Sequence, residues 1–232
     1  VATGIANIWA RDELTMKLLN FSLNEAFDNR FLLGLGVSHH TLVAFLRKHD
    51  YSKPYSKMVE YLDRMERAKY RATMPSQEPE VVIAALGPKM LKLAAEKTSG
   101  AHPYLVPPEH TAVARQALGP DAWLAPEQMI ILETDATKAR EIARLHLSIY
   151  LTLPNYANNL MRLGYSAEDI EAATDEVVDA IVVWGDEQTC LKRVQAHLDA
   201  GADHVSVQVL ETDFARPPIE AWRRLAPVLL AE

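Results

Sequence analysis

"FLLGLGVSHH", Phe31–His40, runs an apolar segment into a glycine pair and then into two histidines. A short continuous apolar run suits a strand covered on both faces, and Gly34 and Gly36 let something approach its far end closely. The same signature recurs along the chain. "VATGIA" (1–6) reads as a strand before it, and "EVVIAALG" (80–87), "AHPYLV" (101–106), "QMIILET" (128–134) and "DHVSVQVL" (203–210) read as four after it. Helical patterns fill the gaps. Asp12–Phe27 carries Leu14, Leu18 and Phe21 at helical spacing. Pro54 opens a helix with an apolar stripe of Tyr55, Met58, Leu62 and Met65. Pro88–Lys97 follows with Gly100 as its stop, then Thr111–Leu118, a helix capped by Asp135, and one capped by Asp186 that runs to Ala200 before Gly201. Pro218–Leu230 is the last.

Strand and helix thus alternate six times, which predicts an α/β fold with parallel strands. An open doubly wound sheet and a (β/α)8 barrel both satisfy the pattern. A dinucleotide-binding sheet is disfavoured, because no strand is followed by Gly-x-Gly-x-x-Gly. The stretch from His146 to Ile181 is too long for one crossover helix. "IYLTLPNYANNLMRLGYSAEDI" (149–170) reads as two or three extra helices broken at Pro154 and Gly164, a helical insertion before the last helix–strand unit. With no linker or low-complexity tract, residues 1–232 read as one domain.

Composition narrows the function. A net charge of -7 without a basic run argues against nucleic acid and against an anionic membrane surface. No apolar stretch reaches the roughly 18 residues that cross a bilayer. A single cysteine, Cys190, excludes a disulfide framework and fits a cytoplasmic protein. No His, Cys, Asp or Glu cluster has metal-ligand spacing, so no metal is expected. The chain opens without Met, already in strand-like sequence, and is expected to continue upstream.

"ATGIANIWARD", "NRFLLGLGVSH", "AALGPKMLKLAAEKTSGAHPYLVPPEHT", "LAPEQMIILETD", "YLTLPNYANNLMRLGY" and "LDAGADHVSVQVL", in that order, resemble the luciferase-like monooxygenase superfamily. The likeness is greatest to its deazaflavin (coenzyme F420)-dependent oxidoreductases, found largely in actinobacteria and archaea. The resemblance implies a (β/α)8 TIM barrel entered at its third strand, lacking its first two strand–helix units. It also implies a bacterial homodimer that transfers a hydride between F420 and a small organic substrate. An FMN-dependent luciferase-type monooxygenase, and a non-catalytic flavin-binding relative with a shortened barrel, are the alternatives.

Roles follow residue by residue. Gly36, Val37, Ser38 and His39 would follow the fourth strand beside the deazaflavin ring, with His39 donating a proton as hydride leaves. Imidazole suits that task because it gains and loses a proton near neutral pH. His40 is a candidate substrate contact. In "AALGPKM", a strand ends at Leu86, Gly87 permits close backbone approach and Pro88 sets the first helical turn, where free N–H groups favour an anion. The resemblance places the cofactor phosphate there, on Ala85, Leu86 and Gly87. His102 and Tyr104 are further cofactor contacts. "HPYLVPPEHT" (102–111) lacks the lysine that some relatives use to hold the phosphate, which keeps FMN open beside F420. Tyr150, Tyr156, Asn158 and Asn159 offer polar groups on the helical insertion that suit a substrate cavity. Glu127 precedes its strand and receives no catalytic role. Finally, the family's strand-end bulge, closed by a cis peptide bond against the ring, falls on Gly4 and Ile5, with Ala6 beside it.

Overall fold

The computed structural model describes residues 1–213 and 215–230. These divide into two compact units, residues 1–102 with 117–123 and residues 103–116 with the chain from 124 onward. In the first, β1 (Ala6–Asn7), α1 (Glu13–Ala26), β2 (Leu33–Gly36), α2 (Pro54–Arg67), β3 (Val81–Ile83), α3 (Pro88–Lys97) and β4 (Gly100–Ala101) follow in order. A π-helical stretch, Thr41–Leu46, comes between β2 and α2. β1 to β4 pair in parallel in chain order, with Leu33 opposite Val81 and Val82 opposite Gly100. After α4 (Pro108–Leu118), the short β5 (Trp123–Leu124) completes the five-stranded sheet β1-β2-β3-β4-β5.

The second unit continues with β6 (Glu127–Ile131), α5 (Ala136–Tyr150), α6 (Pro154–Arg162), α7 (Ala167–Ala172), α8 (Asp175–Ile181), β7 (Val182–Trp184), α9 (Glu187–Asp199), β8 (Ser206–Val209) and α10 (Ile219–Leu229). β6 is central, parallel to β7 on one side and β8 on the other. The α/β fold with parallel sheets is the one the alternation predicts. Among the described residues eight strands form where six were legible; the sequence pattern gave no sign of β5 and β7. The expected strand over 101–106 shrinks to Gly100–Ala101, since Pro103 has no N–H for a ladder and Leu105 turns the chain at φ +60°.

Caps fix the helix starts as read. Asp12 accepts from Thr15 N–H at 2.8 Å, Asp135 from Thr137 and Lys138, and Asp186 from Thr189. The inner face of α1 differs from expectation. Leu14 and Leu18 stand exposed, while Met16, Asn20, Phe21 and Asn24 are buried. Asn24 Nδ2 donates to the Asn20 backbone and side-chain oxygens at 3.0 Å, and its Oδ1 accepts the Phe31 N–H. An asparagine pair joined in this way can face inward, which disguises the buried face as a polar one. On α2, Met58, Tyr61, Leu62 and Met65 are buried and Tyr55 is exposed. The helical insertion is present as α6, α7 and α8, started at Pro154 and broken after Arg162. Arg140 on α5 clamps α8 through Asp175 and Asp179 at 2.5–2.7 Å.

The second unit packs Ile130, Val183, Cys190 and Leu225 at its centre. Burial pushes the Cys190 thiol up to about 11, so it acts as an apolar group. A polar chain crosses this core. Gln128 Nε2 donates to the Met129 and Ile181 carbonyls, so its Oε1 accepts from His197 Nε2 at 2.9 Å. His197 Nδ1 then accepts the Thr111 hydroxyl at 2.8 Å. The ring is neutral in this arrangement. Burial, with Arg193 and His110 nearby, lowers its pKa from 6.5 to about 4. Because the folded value lies below the unfolded one, stability is full above pH 6.5 and drains as pH falls toward 4. We expect His197 to account for about 2 kcal/mol of the loss between pH 7 and pH 5. Urea unfolding at both pH values checks this: the loss should be smaller in His197→Gln, and an equal loss would contradict the assignment.

Candidate functional site

The carboxyl ends of β2, β3 and β4, with the segment that leads into β1 lying along the end of β2, gather most of the expected residues of the first unit. Ile5, Ala6, Ser38, His39, Leu86, Gly87 and His102 are all half-buried there, whereas Ala85 is enclosed and His40 is exposed. The glycines of "GLG" make room for the chain itself. A Cβ on Gly34 would lie 2.2 Å from the Thr3 carbonyl oxygen, and one on Gly36 would lie 2.2 Å from Ile5 Cδ1. Thr3 sits on that strand through its hydroxyl, which donates to Gly34 O at 2.8 Å and accepts from Gly34 N at 2.9 Å. The Gly4–Ile5 peptide bond is cis. The His102 ring reaches the same place: its Nε2 would stand 3.5 Å from a Cβ on Gly4. Ile5, Gly36, Ala84, Gly4 and His102 thus form one floor.

Beyond β2 the chain turns sharply, with Ser38 at φ +60°. Two aromatic residues hold this turn. Trp9 Nε1 donates to Val37 O at 2.9 Å, and the Tyr51 hydroxyl donates to Ser38 O at 2.6 Å. Trp9 stacks near His49 and Tyr51 at 6.0 and 5.9 Å, and the His40 ring meets Phe45 and Tyr51 edge-on. Burial pushes the Tyr51 phenol up to about 12, so it remains a donor at neutral pH. His40 therefore belongs to the aromatic wall at the start of the π-helical stretch, and His39 is the histidine at the strand end. The sequence reading missed Thr3, Trp9 and Tyr51. A threonine before "GI" was a visible signal, but nothing in the spacing ties Tyr51 to Ser38.

Beyond β3, Gly87 takes the N-cap position of α3 and Pro88 its first turn, with no side chain capping the helix. No side chain competes for this end, and the positive end of the helix dipole makes it favourable to an anion.

Tyr104, Tyr150, Tyr156 and Asn159 belong to the second unit. The three tyrosine rings lie 5.4–6.0 Å apart, and Tyr104 donates to Gln208 Oε1 at 3.0 Å. Tyr156 and Asn159 share the buried face of α6, where Asn159 Oδ1 accepts from Arg162; Asn158 is exposed. A depression of about 430 Å³ lies by Tyr150 and Gln208, walled by Leu145, Ile149 and Leu210. No group of three or more potential metal-ligating side chains occurs among the described residues, and no helix among them is long and apolar enough to cross a membrane.

The family model for luciferase-like monooxygenases matches residues 1–204. The chain belongs to this family. No curated protein sequence matches it. Among solved structures, an F420-dependent secondary alcohol dehydrogenase in complex with an F420–acetone adduct superposes with a TM-score of 0.71 at 13% identity, covering 98% of this chain and 78% of that one. The coenzyme F420-dependent tetrahydromethanopterin reductase from Methanopyrus kandleri gives 0.71 at 16% identity, covering 97% and 80%. The oxygenating constituent of 3,6-diketocamphane monooxygenase from Pseudomonas putida, in complex with FMN, gives 0.65 at 13%, covering 97% and 76%. At these identities the likeness is one of fold. The neighbours include both F420-dependent and FMN-containing proteins.

The glycine pair provides a test of the floor. The Gly34 clash is with backbone, which has nowhere to go, whereas the Gly36 clash is with the tip of a flexible side chain. We expect Gly34→Ala to cost about 2–3 kcal/mol and Gly36→Ala about 1 kcal/mol. Ile5→Ala should recover most of the loss in the Gly36→Ala background but none in Gly34→Ala. Denaturant midpoints measure all four; equal losses at both glycines would contradict the packing described.

Proposed function

We propose that the protein is an oxidoreductase that uses deazaflavin coenzyme F420 to transfer a hydride to or from a small organic substrate. In this reading the chain is a partial (β/α)8 barrel that lacks the first two strand–helix units, with β1 at the third strand position, and it acts as a homodimer. The observation that supports it best is the floor of Ile5, Gly36 and Ala84 with His102 against Gly4, at the strand ends where barrels of this class bind ligands. The residues present fit the cofactor. Gly4, Ile5 and Ala6 offer an apolar backing for a flat ring, and Gly36 and Ser38 border it. The start of α3, without a side-chain cap, suits a phosphate with Ala85, Leu86 and Gly87, and His102 supplies a hydrogen-bonding group; Tyr104 is a candidate contact carried by the second unit.

When bound, F420 supplies a two-electron hydride chemistry that the protein itself lacks. His39 holds a proton at its imidazole and delivers it to the substrate atom that gains electron density. Each unit offers candidate substrate contacts of its own, His40 in the first and Tyr150, Tyr156 and Asn159 in the second, and the Trp9–Tyr51 wall keeps the turn that carries His39 in place. FMN is the alternative cofactor, favoured by the missing lysine in "HPYLVPPEHT" and by FMN-containing neighbours.

Fluorescence titration with F420 and FMN tests the cofactor, and turnover of reduced F420 against a panel of small carbonyl compounds tests His39. We expect tighter binding of F420, and His39→Ala to lose roughly 10²- to 10⁴-fold in turnover with near-normal F420 affinity. Tighter FMN binding would favour the monooxygenase reading, and near-normal turnover of the variant would remove His39 from the chemistry.

A further inference from the structure

Glu127 is the first residue of β6 and is almost wholly buried, at 6% exposure. Its Oε1 has no hydrogen-bond partner among the described residues, and its Oε2 accepts the Leu105 N–H at 3.5 Å. Its own backbone N–H donates to Pro103 O at 2.9 Å. One residue therefore grips both sides of Tyr104. Leu105 has a φ of +60°, which a branched side chain rarely adopts without being held. From this loop Tyr104 reaches Tyr150, Tyr156 and, through its hydroxyl, Gln208 on the neighbouring strand β8.

We propose that Glu127 is a positioning residue for Tyr104: its carboxyl holds the Pro103–Leu105 loop and so sets where the Tyr104 phenol stands among the three tyrosines. The functional importance of that placement rests on the reading of Tyr104 as a ligand contact. A carboxyl is a poor packing group at a buried position, because it demands hydrogen bonds that an apolar side chain does not. Here its bond goes to the Leu105 N–H, at the residue where the chain turns.

The state of the carboxyl follows from the same burial, which raises its pKa from 4.5 to about 8; the Leu105 N–H opposes the shift. The groups on its side are Tyr104 from the loop and Ser206 opposite it on β8, of which Tyr104 is the ionisable one; Gln128 points to the other face, toward Ile181 and His197. Burial also raises the Tyr104 phenol well above the usual range, with Glu127 adding to the effect, so Tyr104 stays neutral while Glu127 ionises. An ionised carboxylate accepts the Leu105 N–H more strongly than a neutral acid, so ionisation draws on the loop and alters the surroundings of the Tyr104 ring.

Near-ultraviolet circular dichroism of the unliganded protein between pH 7 and pH 9 reads this directly. The window lies above the ordinary histidine range and below that of tyrosine. We expect the wild type to change its tyrosine band with a midpoint near 8. Glu127→Gln, whose amide oxygen still accepts the Leu105 N–H, should keep the pH 7 spectrum and lose the transition. That comparison also subtracts the amino terminus, which titrates in the same window. Glu127→Ala should show an altered tyrosine band already at pH 7, and Tyr104→Phe should remove most of the transition's amplitude. Persistence of the transition in Glu127→Gln, or full amplitude in Tyr104→Phe, would overturn the proposal. Should Glu127→Gln fail to fold, Tyr104→Phe decides alone. Because no cofactor is present, the outcome is independent of whether F420 binds.

Discussion

The first unit depends on one seat: Thr3 on Gly34. A single hydroxyl both donates to and accepts from the same glycine, and the space that glycine leaves is filled by the Thr3 carbonyl. Two residues on, Ile5 occupies the space left by Gly36. A side chain at Gly34 would push the Thr3 backbone away from β2, whereas one at Gly36 would displace only the Ile5 side chain. The floor on which His102, Gly4 and Ile5 meet exists because β2 presents bare backbone where β1 crosses it. Where a glycine pair invites a ligand-binding reading, the molecule uses it first to bring its own chain close, and the chain then forms the surface available to a ligand.

Much of this was legible in the sequence. Apolar runs of four or five residues marked β2 and β6, and the capping residues Asp135 and Asp186 fixed the starts of α5 and α9 to within a residue. The insertion of α6, α7 and α8 was signalled by Pro154, Gly164 and the length of the segment. What remained hidden has physical causes. β5 and β7 are held by pairing to neighbours, not by any pattern of their own. The inward face of α1 is masked by Asn20 and Asn24, whose mutual hydrogen bonds exist only once the helix has formed. Within the candidate site, residues next to a glycine or a strand end were found, since local backbone demands reveal them. Trp9 and Tyr51 were not, because their hydrogen bonds to Val37 and Ser38 join segments far apart in the chain.

The second unit carries its polar groups inside its core. The chain Thr111–His197–Gln128 is closed at every atom, and neutrality of the imidazole is the condition for that closure. Glu127, one residue earlier on the same strand, leaves one oxygen without a partner. Adjacent residues of β6 thus treat burial in opposite ways. Gln128 completes a network that ties α4 and α9 to the sheet, and Glu127 keeps a carboxyl under the loop that carries Tyr104. Acid weakens the first arrangement by protonating His197, and alkali loads the second with charge.

The central claim is that the carboxyl ends of β2, β3 and β4 in the first unit, with the segment that leads into β1, bind the cofactor. Hydrogen–deuterium exchange with and without F420 tests it most directly, since it reads the backbone at each strand end. Slowed exchange on F420 addition in residues 4–9, 37–40 and 84–90 is the result the account predicts. Binding that protects instead the depression at the start of β3, around Lys17, Asn20 and Val81, while leaving those segments unchanged, would contradict it.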